Sequence, residues 1–185
     1  MKLAIYAYGH PVLRKECQEI ENNSKGLEEL IENMWETMYH AGGMGIAAPQ
    51  VGQSLRLFLV DTLQLDEEKN GEKGLKEVFI NPIIIEEAGK PWTYEEGCLS
   101  IPNIHGKVKR KAQVRIEYYD QNFELKEKVF DGLNARVIQH EYDHIEGVLF
   151  TDYLSPMKKR MLKKRLDKIQ TGDIPRRYKM VFARR

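Results

Sequence analysis

The segment His140-Glu141-Tyr142-Asp143-His144 sets two imidazoles four residues apart. On a helix, positions i and i+4 project from one face, so both rings can reach a single cation, and Glu141 between them is placed to accept a proton. That is the donor pattern of a zinc hydrolase. The alternative is a surface helix bearing two histidines by chance, but Leu133, Val137 and His144 share a stripe that puts the imidazoles on the apolar side.

A catalytic metal site takes three protein ligands and keeps one position for water. Cys98, in Glu96-Gly97-Cys98-Leu99-Ser100, is the natural third ligand, because a thiolate with two neutral imidazoles suits Zn(II) or Fe(II). A lone cysteine more often behaves as a small buried hydrophobe, and Cys17 fits that description. Further upstream, Gly43-Met44-Gly45-Ile46-Ala47-Ala48-Pro49-Gln50 is a run of small residues in which main chain can approach a peptide and pair with it as an added strand. Glycines after a helix also make ordinary turns. The Gln50 amide adds an N–H donor suited to a developing oxyanion.

The elements that must position these groups follow from periodicity. Leu27, Leu30, Ile31, Met34, Trp35 and Met38 predict an amphipathic helix over residues 25–40, ended by Gly42-Gly43. A second helix is predicted over 132–146, with Asp131 as N-cap and Gly147 at the left-handed stop. A third, over 156–170, carries Leu154, Met157, Met161, Leu162, Leu166 and Ile169 on one stripe. Strands are predicted over 54–61 and 77–85, joined by a charged, solvated loop over 66–74, and over 107–110, 114–120 and 126–130, the last two turning at Gln121-Asn122. Together these suggest an antiparallel meander, and no internal repeat or low-complexity linker interrupts it.

A chain of 185 residues with 42% apolar content can bury a core as a single domain over 1–185. The apolar run from Val78 to Ile85 is broken by Asn81 and Pro82 and is far too short to cross a bilayer. The opening residues lack the apolar stretch and small-residue cleavage site of a secretory signal, so the cytoplasm is the expected compartment and a Cys17–Cys98 bridge is not expected. The net charge of +1 conceals an asymmetry: residues 158–185 carry twelve Lys or Arg against two Asp, which leaves the body acidic. A basic helix of this kind is commonly docked with a solvated outer face; weak binding of RNA phosphate is the second reading.

The three runs Gly43 to Gln50, Glu96 to Ser100 and Gln139 to His144 stand in the order of the motifs of the peptide deformylase family, which this sequence resembles. The similarity extends from Gly9-His10-Pro11-Val12-Leu13-Arg14 to Asp152-Tyr153-Leu154, and Cys-Leu-Ser-Ile-Pro with a helical C-terminus is similar to the bacterial type. The resemblance implies an α+β fold: antiparallel β-sheets packed around a central metal-bearing helix, with an N-terminal and a C-terminal helix. It implies hydrolysis of the N-terminal formyl group of formyl-methionyl nascent polypeptides, with release of formate. It also implies one divalent metal ion per chain held by Cys98, His140 and His144, with Fe(II) as the native ion and Zn(II) or Ni(II) as substitutes. Glu141 would be general base and acid, and Gln50 with the Leu99 N–H the oxyanion donors. Met44, Gly45, Glu96, Gly97, Leu133, Val137 and Tyr142 would line or support the substrate cleft. Arg136 either edges the methionine pocket or faces solvent, since some relatives carry an apolar residue there. Glu96, Arg110 and Asp143 are read either as partners that hold the ligands in place or as three independent surface charges. A substrate emerging from the ribosome gives the basic C-terminal segment a use, and in relatives the C-terminal helix is implicated in ribosome contact.

Two rivals are distinguishable. A zinc endopeptidase built on the same helix usually draws a third His or Glu from farther along, yet no histidine follows His144. A non-catalytic RNA-binding module with a structural metal would want a fourth protein ligand, and Cys17 has no motif around it.

Overall fold

The computed structural model describes residues 1–65 and 73–183. Most of the charged loop expected over 66–74 lies outside the described residues, as do the final two arginines of the basic segment. Nine strands are described: β1 (Ile5–Tyr6), β2 (Gly45–Ala47), β3 (Leu57–Asp61), β4 (Lys76–Ala88), β5 (Trp92–Cys98), β6 (Ile101–Arg110), β7 (Gln113–Tyr119), β8 (Leu125–Asp131) and β9 (Met180–Val181). Three α-helices join them: α1 (Leu27–Ala41), α2 (Gly132–Ile145) and α3 (Pro156–Thr171). Among the described residues, no helix is long and apolar enough to cross a membrane.

An antiparallel five-stranded sheet runs in the order β2-β3-β4-β7-β8. Its apolar strand β3 is buried along its whole length because both faces are covered. Alternate residues on a strand point to opposite faces: Phe58 and Val60 meet Ala135, Val137 and Ile138 of α2, while Leu57 and Leu59 meet Ile31, Met34 and Met38 of α1. Phe79 anchors the α2 side, its ring centroid 4.6 Å from that of Phe58 and 4.4 Å from that of Tyr118.

On its other flank α2 meets the hairpin of β5 and β6, which pair antiparallel from Trp92↔Arg110 to Gly97↔His105. Arg136, His140 and Asp143, spaced i, i+4 and i+7, face this hairpin. The buried face of β6 also carries Ile104 and Val108, which with Ile101 form the cluster against which α3 lays Leu162, Leu166 and Ile169. The metal-bearing helix therefore lies between two antiparallel sheets, with α1 on the far side of the larger one. This is the expected α+β architecture.

Differences from the sequence expectation have local causes. Strand β4 continues through Pro82, which has no N–H to donate, and the ladder with β7 shifts register between Ile80 and Ile83. Strand β5 and the first half of β6 were not expected: Trp92 to Glu95 leave their side chains largely in solvent, so no apolar alternation marks them. The small-residue run contains β2, a strand of the sheet itself, paired to β3 on one side and forming the sheet margin on the other. Gly42 and Gly147, expected as helix stops, are at positive φ; α3 ends in the same way at Gly172, and at its start the Ser155 hydroxyl accepts from the Lys158 N–H at 3.3 Å. Asp131 occupies the N-cap position of α2 without a capping hydrogen bond from its side chain.

Candidate active site

Cys98 sits at the last position of β5, where the register with β6 shifts and Leu99-Ser100 turn the chain, so its sulfur comes from a strand end rather than a loop. His140 and His144 project from one face of α2, ring centroids 5.1 Å apart. The ligand atoms of these three residues lie within 4.8 Å of one another, and Cys98 Sγ is 3.3 Å from His144 Nε2. Among the described residues, no other cluster of three His, Cys, Asp or Glu has this closeness. A thiol and two imidazoles converging on one point fit a single tetrahedral-type cation.

The orientation of the rings is set from behind. Glu96, buried on β5, accepts from His140 Nδ1 at 2.9 Å, which turns Nε2 toward Cys98. The same carboxylate takes a two-pronged contact from Arg110, at 2.7 and 3.0 Å, and one from Arg136 Nη1 at 2.9 Å. Arg110 also reaches Asp143 Oδ2 at 2.7 Å. Glu96, Arg110 and Asp143 thus form one connected network behind His140, not three separate surface charges. Arg136 is 2% exposed, stacks over Trp92 at 4.5 Å and donates to the Trp92 and Val108 carbonyls; it does not face solvent, and it borders the cleft beside Leu133 and Val137. The guanidinium ties α2 to the hairpin.

Glu141 is buried beside the three ligands, and its Oε2 has no hydrogen-bond partner among the described residues. Burial raises its carboxyl to about 7, helped by the negative charges of Glu96 and Asp143 and opposed by His140. A carboxyl poised near neutrality is what proton transfer requires. Burial likewise keeps His144 well below its ordinary value, so it remains a neutral donor. For His140 burial acts in the same direction, but acceptors on Cys98 and Glu96 outweigh it and favour the protonated ring. Proton and cation compete for that donor, so metal binding here releases a proton.

Gln50 lies in a 3-10 turn after β2. Its Oε1 accepts from the Ala47 N–H at 2.8 Å, which fixes the amide so that Nε2 points at Cys98 Sγ, 3.4 Å away, and at Ser100 Oγ, 3.3 Å away. Gly45 is a space requirement: a Cβ there would lie 2.5 Å from Glu141 Oε1. A cleft of about 420 Å³ opens over these groups, and Met44, Gly45, Glu96, Gly97, Leu133 and Val137 all border it. Leu133, Val137 and Glu141 share one face of α2, spaced by four residues each. Tyr142 does not border the cleft; its ring packs on the sheet side and its hydroxyl accepts from Arg56 at 3.4 Å. His105, opposite Gly97, and the segment from Pro175 to Met180 also line the cleft. No motif surrounds them, and only the hairpin register and the path of the tail place them there.

Residues 2–160 match the family model described as polypeptide deformylase. The chain belongs to the polypeptide deformylase family. The peptide deformylase of Christiangramia forsetii is 52% identical, over 98% of this chain and 96% of that protein. Among solved structures, a peptide deformylase from Legionella pneumophila superposes with a TM-score of 0.82 at 37% identity, covering 94% of this chain and 98% of the other. That of Thermotoga maritima gives 0.74 at 39% identity, covering 84% and 99%. Polypeptide deformylases are metal-dependent hydrolases of the formyl amide bond at the N-terminus of nascent polypeptides, and the protein is such an enzyme.

Two predictions follow from the packing of this deformylase site. Gly45→Ala forces the Glu141 carboxylate aside, so turnover should fall by at least about tenfold while the melting temperature stays within a few degrees; wild-type turnover would show that the carboxylate does not need that space. The second concerns acid. Burial opposes the charge on Glu96, but hydrogen bonds from His140 and Arg110 prevail and hold its carboxyl well below the usual carboxylate range. Its contribution to stability is therefore complete above the unfolded pKa and is lost as pH falls through the depressed folded value. Wild type should lose stability toward acid more steeply than Glu96→Gln in urea titrations between about pH 5 and 3; parallel curves would remove Glu96 as the acid-sensitive group.

Proposed function

We propose that the deformylation is carried out by Glu141, Gln50 and Leu99, with the metal held by Cys98, His140 and His144. The observation that carries this reading is the convergence of one sulfur and two ring nitrogens beside a buried carboxylate that has an unpartnered oxygen among the described residues. A bound divalent cation would supply Lewis acidity and lower the pKa of water at this point. In this reading a formyl-methionyl peptide lies along the margin of β2 as an added strand, between the main chain at Met44-Gly45 and that at Glu96-Gly97. The methionine side chain rests against Leu133 and Val137.

Glu141 takes a proton from water at a carboxylate oxygen as the water oxygen bonds to the formyl carbon. Negative charge develops on the formyl oxygen, where Gln50 Nε2 and the Leu99 N–H donate to it. Glu141 then delivers its proton to the amine nitrogen, the C–N bond breaks and formate leaves. A thiolate ligand leaves the cation less positive than three imidazoles would, so the two donors carry more of the stabilisation.

For the metal, the reading is one ion per chain, Fe(II) in the native enzyme, with Zn(II) or Ni(II) able to occupy the same ligands. The working compartment is the cytoplasm. Anaerobic turnover of formyl-Met peptides, with bound metal quantified, tests the assignment. Glu141→Ala should keep its metal yet lose about 10²- to 10⁴-fold in kcat, and Gln50→Leu should lose about a hundredfold. An active Glu141→Ala enzyme with full metal would remove Glu141 from the proton-transfer role.

Ribosome contact belongs to the same proposal. On α3 the residues Lys158, Lys159, Arg160, Lys163, Lys164, Arg165 and Lys168 are exposed, while Leu162, Leu166 and Ile169 are buried on the hairpin. Removing the helix would uncover that core, so reversal of charge is the cleaner test. Lys159, Lys163 and Lys164 changed together to Glu should weaken co-sedimentation with ribosomes at low salt and leave turnover of short peptides unchanged. Equal sedimentation of both proteins would count against phosphate contact.

A further inference from the structure

The family model ends at residue 160, yet the chain beyond α3 returns to the active site. After Gly172, which turns at a φ of 77°, the tail crosses the mouth of the cleft, bordering it with Pro175, Arg177, Tyr178 and Met180, and is fastened by the parallel pairing of β9 with β1. The Tyr178 hydroxyl donates to the Leu99 carbonyl at 2.8 Å.

Leu99 occupies a particular place in the backbone. It lies in the two-residue turn that links the paired Cys98 and Ile101, one step beyond the register shift between Gly97 and Cys98. The flanking residues are held: the Gln50 amide reaches Cys98 Sγ and Ser100 Oγ, and the Ser100 carbonyl accepts from the Tyr8 N–H at 2.8 Å. The carbonyl of Leu99 is held by the tail. An oxyanion donor works by being fixed before charge develops, so a tilt of one turn peptide costs rate without necessarily costing substrate affinity.

We infer that Tyr178 is a positioning residue for deformylation, fixing the Leu99 turn through its carbonyl so that the Leu99 N–H is aimed at the formyl oxygen. This rests on the oxyanion role proposed above for Gln50 and Leu99. The phenol acts through the turn, by its bond to the Leu99 carbonyl.

The test is Tyr178→Phe, which removes one oxygen and keeps the ring. It is assayed on formyl-Met peptides beside Gln50→Leu, with metal content and melting temperature measured for each. Tyr178→Phe should lower kcat about three- to tenfold, the range for one lost neutral hydrogen bond, with KM within twofold and metal content and melting temperature as in wild type. Wild-type kcat in Tyr178→Phe beside a slow Gln50→Leu overturns the positioning role alone. A raised KM at unchanged kcat, or loss of metal, overturns it too, making the tail a cleft wall or a support for the ligands. Full turnover in both variants overturns the oxyanion reading, and the inference with it.

Discussion

A single buried carboxylate sets the geometry on which the active site depends. Glu96 is contributed by β5, and its partners come from two other elements: Arg110 from β6 and Arg136 with His140 from α2. Each oxygen is shared, so the carboxylate can be satisfied only when the hairpin and the helix stand in one register. A buried ion network is not itself a large source of stability, because desolvation of each charge opposes the attraction. Its use here is specificity of placement. The residue two positions along β5 from Glu96 is Cys98, and the ring that Glu96 holds is His140, so one interaction orients one ligand and determines where a second arrives.

The sheet supplies what the network lacks. Phe58, Phe79 and Tyr118 form an apolar floor beneath α2, and the helix is pressed on it by Ala135, Val137 and Ile138. The apolar contacts fix the height and tilt of the helix; the charged contacts fix its rotation. Glu141 lies between these two influences, buried enough for its proton affinity to rise and close enough to Gly45 that no side chain fits between. Such constraint is consistent with a group that must both accept and return a proton at neutral pH.

What the sequence disclosed followed from how strongly each element obeys a period. The three helices were legible, to within a few residues at each end, because each carries an apolar stripe, closed in the first two by Gly42 and Gly147. The ligands were legible because His140 and His144 sit at one helical spacing and Cys98 lies in a compact motif. Strand β5 was not, since Trp92-Thr93-Tyr94-Glu95 presents mostly solvated side chains and its one buried acid, Glu96, resembles a surface charge until its three partners are in place. Arg136 was left between the pocket edge and solvent on similar grounds: helical arginines are usually solvated, and nothing local indicates that this one lies under Trp92. Pairings between distant parts of the chain, such as β1 with β9, leave no trace in any short window.

That last pairing bears on the timing of assembly. Ile5 and Tyr6 are synthesised long before Met180 and Val181, their neighbours in space. Closing so large a loop is entropically slow compared with forming a hairpin. While the intervening chain is still attached to its own ribosome, the cleft therefore has its floor but lacks its final border. An enzyme whose task is to trim newborn proteins thus completes its own working edge only once the residues beyond α3 have been made.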